Sequence, residues 1–124
     1  MTRHQDSYTI MTNLEKDLKL YVISLRLKEK AFESLEKIKE LYKESGEKID
    51  GYKFDEFNFK YNRHELHILK ESQYTSILAR INIYHKENAN DLENVLPIGY
   101  YDYGVDFNGN FLDDYFVLQK SKIT

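Results

Sequence analysis

The chain has 124 residues, a formal net charge of −3 and an apolar share of 41%, which suits one globular domain and excludes wholesale disorder. It contains no cysteine, which rules out a disulfide scaffold, a thiolate metal centre and a cysteine nucleophile together. No apolar run approaches the roughly 20 residues that cross a bilayer as a helix, so the expectation is a soluble, cytoplasmic protein with no membrane partner.

Aromatic residues make up 15% of the chain, as 11 Tyr and 7 Phe without Trp. Tyr is amphipathic, so such rings can sit half in a core and half at a contact surface. Residues 1–11 are mostly polar and lack the apolar stretch of a signal peptide. They are expected as a flexible leader, with Met11 as an alternative start, ahead of a single α+β domain over residues 12–124. Thr12-Asn13-Leu14-Glu15 has the form of a capping box. Apolar residues then recur at Leu14, Leu18, Tyr21, Val22, Leu25, Phe32, Leu35, Ile38 and Tyr42, spacings that make one face of a long helix. Gly46 supplies its stop, with Lys43 near the negative end of the dipole. Residues 19–27 also fit a strand, and the helix can break near Lys28. Glu29, Glu33 and Lys37 mark its solvated side.

From Gly51 onward the period changes to two. Phe57, Phe59 and Tyr61 alternate with polar residues, and so do His64, Leu66 and Ile68. Asn62-Arg63 fits a two-residue turn between them, which places all six on one face. A further loop over 70–73 would pair Leu69 with Tyr74, Leu66 with Ile77 and His64 with Ala79. The stretch 86–97 is irregular. Asn108-Gly109, between two alternating runs, is a strong hairpin signal. With a two-residue turn, Tyr101, Tyr103, Val105, Phe107, Leu112, Phe116 and Leu118 share one face. Tyr100, Asp102, Asp106, Phe111, Asp113 and Tyr115 then share the other, and a bulged turn would exchange one strand's faces. The expected architecture is α+β, a long helix packed on a curved antiparallel sheet of about five strands in hairpins.

Charge is unevenly spread. Between Glu87 and Gln119 there is no Lys or Arg, but seven carboxylates: Glu87, Asp91, Glu93, Asp102, Asp106, Asp113 and Asp114. Phosphates would be repelled there, so nucleic acid is not expected as a partner. A cationic protein is, because a field of one sign accelerates association. The plain alternative is a solvated acidic face that keeps the protein in solution.

His64-Glu65-Leu66-His67 is not the zincin pattern, and on a strand its two histidines face opposite ways. No metal is expected, nor any cofactor: Gly99, Gly104 and Gly109 do not precede a helix, and no serine sits in a nucleophile elbow. Asp114 is expected inward, opposite Tyr103 and on the same side as His64. A buried carboxylate must find a tyrosine hydroxyl, pair with His64 or line a polar pocket. In a cleft, these three would suit acid–base work.

The small size, acidic bias, absent cysteines and Asp/Tyr-rich hairpin from Tyr100 to Tyr115 resemble the immunity proteins of bacterial polymorphic toxin systems. That resemblance implies an inhibitor that neutralises a cognate, basic toxin domain, with Tyr100, Asp102, Asp106, Phe111, Asp113 and Tyr115 in contact and Glu87, Asp91 and Glu93 adding field. A helix followed by antiparallel strands is also similar to cystatin-like and NTF2-like architectures. These imply a ligand binder or enzyme around Asp114, His64 and Tyr103, or a homodimeric structural module.

Overall fold

A computed structural model describes the backbone of residues 3–68, 75–88 and 95–119, and the side chains of 13–68, 75–87 and 95–119. Helix α1 (Arg3–Ser24) is followed by helix α2 (Leu27–Ser45). Helical backbone thus starts at Arg3, and Thr12 lies inside α1 rather than at its cap. The break falls at Arg26, two residues ahead of Lys28. Arg26 is left-handed, with φ 54° and ψ 40°, a conformation that costs a non-glycine residue about 1–2 kcal/mol. It lies just after Val22 and Ile23, whose branched Cβ atoms weaken a helix, and after Ser24, whose hydroxyl donates back to Tyr21 O. The turn seats Leu27 in the core with no exposed surface, which gains roughly 1.5–3 kcal/mol and offsets the strain.

Leu27, Ala31 and Leu35 form the buried stripe of α2. Gly46 closes the helix at φ 71°, donating its N–H to Tyr42 O. A tight turn over Ile49–Tyr52 and a 3-10 turn, Phe54–Glu56, lead into the sheet.

The sheet has four antiparallel strands in the order β1 (Phe57–Ile68), β2 (Thr75–His85), β3 (Gly99–Asp106) and β4 (Phe111–Leu118). Two of the expected strands are one: Asn62-Arg63 does not turn, and β1 runs through it with a bulge between Tyr61 and Arg63. A bulge and a two-residue turn shift the alternation by the same single residue. Phe59, Tyr61, His64, Leu66 and Ile68 therefore still share a face. His64 lies opposite Ala79 and Leu66 opposite Ile77, as the pattern requires. Leu69 and Tyr74, the expected closing pair, lie outside the described residues.

The inner face presents Ile77, Ala79, Ile81, Ile83, Tyr101 and Val105, all fully buried beneath the helices. At the entry to β3 a Cβ on Gly99 would run into the backbone of Val117 and Leu118, so β3 and β4 meet there with no room for a side chain. No helix of the described residues is long and apolar enough to cross a membrane. Among the described residues no helix packs on the outer face of the sheet.

Candidate functional site

The β3–β4 hairpin closes differently from the Asn108-Gly109 expectation, and one side chain decides it. Asp106 Oδ1 accepts the backbone N–H groups of Asn108 and Asn110 at 2.9 Å each, and Oδ2 accepts Asn110 Nδ2 at 3.2 Å. Asp106 N–H in turn donates to Asn110 O, and Gly109 N–H to Asp106 O. These bonds, with the Asn110 N–H foremost, hold the Asp106 carboxyl below its ordinary pKa. The result is a three-residue loop, 107–109, with Gly109 at φ 88°. The added residue shifts the register next to Leu112, so Phe111 sits opposite Val105.

Phe111 accordingly leaves the outer face assigned to it and joins the helix side, its ring centroid 5.3 Å from that of Tyr103. Phe107 is drawn into the loop, where it stacks on Tyr21 at 4.8 Å and its carbonyl accepts the Tyr21 hydroxyl. Lys30 Nζ donates to Gly109 O. The helix break and the hairpin tip are thereby interlocked.

By register, Tyr100, Asp102 and Asp106 of β3 and Asp113 and Tyr115 of β4 do share the outer face. Asp102 is not free for a partner. It is the only charged residue buried among those described, and Arg80 of β2 grips it bidentately, Nε to Oδ1 and Nη2 to Oδ2, both at 2.8 Å. The guanidinium lies over the Tyr100 ring, 3.9 Å from its centroid, and its bond to Asp102 raises its pKa further. Arg80 is a residue that sequence reasoning missed. It occupies an outward position in the apolar run of β2, opposite Asp102.

Asp113 is exposed. Its Oδ1 accepts Asp114 N–H and its Oδ2 accepts the Tyr115 hydroxyl, both at 2.8 Å. The carboxylate holds on to the phenolic proton, raising the Tyr115 pKa. Gln119 N–H donates across to Ile98 O, so odd-numbered residues of β4 direct their backbone groups at β3 and even-numbered ones at the free edge. The Asp113 side chain therefore covers an edge N–H that would otherwise be open to a foreign strand.

The seven carboxylates do not form one patch. Glu87 lies just beyond the C-terminal end of β2, with His85 Nδ1 3.7 Å away. Asp106 lies opposite Ser76 near the other end of that strand, a separation of roughly 30 Å at strand rise. Asp91 and Glu93 lie outside the described residues. Asp114 faces the helices, where Oδ2 accepts the Tyr101 hydroxyl at 2.7 Å and that hydroxyl meets Ser34 Oγ at 2.6 Å. Burial first, then Asp114, pushes the pKa of Tyr101 up, and the same causes act on Tyr103.

Tyr103 stands opposite Asp114 as expected. His64 does not join them. It is in the same row but two strands from Tyr103 and three from Asp114, roughly 10 and 15 Å at sheet spacing. It lines a separate cleft of about 210 Å³ with Lys19, Lys28 and Tyr61. A larger cleft, about 530 Å³, lies between the end of α2 and the 3-10 turn, with Tyr42, Lys43, Lys53 and Phe54 around it. Neither is lined by Asp114. No group of three His, Asp or Glu among the described residues is arranged to hold a metal ion.

Family models, curated proteins and solved structures yield no match to this chain.

Proposed function

We propose that this chain is a protein-binding inhibitor of the immunity-protein kind, which neutralises a cognate, cationic toxin domain by docking the outer side of its β3–β4 hairpin on it. One observation carries the reading. Asp113 and Tyr115 stand exposed on the outer sheet face, and among the described residues no helix covers that face and no Lys or Arg pairs with Asp113 or Asp106. Tyr is enriched at protein interfaces, and a carboxylate without an internal cation is free to meet one from outside. The contact surface is narrower than the sequence implies, since Asp102 is neutralised by Arg80 and Glu87 lies at the far end of the sheet.

The test is co-expression with a toxin domain encoded by an adjacent reading frame. Growth arrest should be relieved by this chain, and association measured in solution should slow with added salt. Asp113→Lys, with its folding verified by thermal melt, should slow association several-fold. Binding that ignores both salt and this reversal would remove the proposal.

A further inference from the structure

The outer face holds two copies of one side-chain pair, and among the described residues one is occupied and the other is not. On β3, Tyr100 and Asp102 are two residues apart and point the same way. On the adjacent antiparallel β4, Asp113 and Tyr115 repeat the arrangement. The first pair is filled from within by Arg80, which forks onto the carboxylate while lying flat on the ring. The second has no such guest among the described residues, and Tyr115 is 56% exposed.

From this we infer that Asp113 and Tyr115 form a receptor for an arginine side chain of the partner, reproducing across the interface the clamp that Arg80 makes inside the chain. The inference rests on the protein-binding reading above and names the group recognised. A carboxylate offers about four acceptor positions. Asp113 spends two, on Asp114 N–H and on the Tyr115 hydroxyl, which leaves two for a guanidinium fork. Those same two bonds fix the carboxylate beside the ring, so little ordering remains to be done on binding. Arginine suits this site better than lysine because it is planar, bidentate and more weakly hydrated. At this position the partner docks by side chains, because the Asp114 N–H at the free edge is already taken by Asp113.

The test uses nona-arginine and nona-lysine peptides as probes of the intact chain, by fluorescence anisotropy at matched salt. Nona-arginine should bind tighter by roughly two- to five-fold, the advantage of one exposed cation–π contact. Tyr115→Phe should preserve that advantage, Tyr115→Ala should abolish it, and Asp113→Asn should weaken both peptides. Equal binding of the two peptides, or an arginine preference that survives Tyr115→Ala, overturns the receptor. If the preference is absent while Asp113→Lys still slows a toxin partner, the receptor falls and the inhibitor reading stands. If Asp113→Lys is also silent, both fall.

Discussion

Arg80→Ala is the most demanding test of the outer face. Its partner Asp102 has only 7% of its side chain exposed, against 24% for Arg80. The variant thus leaves a desolvated carboxylate with two lost hydrogen bonds. Breaking a fully buried pair costs about 3–5 kcal/mol, and an exposed one at most about 1. With one partner a quarter exposed, solvent screens part of the loss, and the expected cost is about 2–3 kcal/mol. For a domain of this size that lowers the midpoint of thermal unfolding by roughly 10 °C, readable by circular dichroism. The double variant Arg80→Met/Asp102→Leu removes both charges and should recover most of the loss, since a buried pair exchanged for apolar residues is often neutral. Asp102→Asn should fall between them. A melt of Arg80→Ala within about 2 °C of the parent would mean the fork is not formed in solution, and would remove the internal example on which the arginine receptor is built.

Two further outcomes follow from local geometry. Gly109→Ala places a Cβ at a left-handed φ and 3.0 Å from Leu25 Cδ2, so it should cost about 1–2 kcal/mol in chemical denaturation; an unchanged midpoint would refute the interlock between hairpin tip and helix break. Glu65 should titrate at about 2, because His67 Nε2 and then Arg63 Nε hydrogen-bond to its carboxylate. A depressed folded pKa gives stability that is present above the unfolded value, near 4.5, and is lost as pH falls toward 2. At this exposed site the effect should show as a carboxyl shift in NMR that moves up in His67→Ala.

Much of the architecture is legible in the sequence because alternation survives small errors of connection. Reading Asn62-Arg63 as a turn miscounts the strands, yet both a turn and a bulge advance the phase by one residue, so every assigned face between Phe57 and Ile68 is kept. The register of β1 on β2 follows for the same reason. The hairpin tip fails where a side chain outranks a dipeptide preference: Asn-Gly favours a two-residue turn, but three hydrogen bonds to the Asp106 carboxylate select a longer loop and carry Phe111 to the helix side. The helix break is legible to within two residues, but not its exact place, because no glycine marks it; Arg26 accepts a left-handed conformation so that Leu27 can be buried. Arg80 is missed for a different reason. Its partner lies across the irregular stretch 86–97, over which alternation carries no phase, so nothing in the pattern sets β2 against β3. A charge tally along the chain consequently treats Asp102 as free.

The left-handed corner at Arg26 also decouples the two helices. The helical ladder stops at the corner and starts afresh with Lys30 N–H on Arg26 O, so the rods share a joint but no continuous run of bonds. Unwinding that begins in the mostly exposed stretch of α1 over residues 13–20 meets a boundary there, and the cooperative unit that guards the sheet is α2, the end of α1 around Val22 and the strands beneath them. Loss of the turns ahead of Leu18 would trim this molecule without unravelling its centre, whereas Tyr21 and Val22 at the end of the rod belong to the hairpin contact and the core.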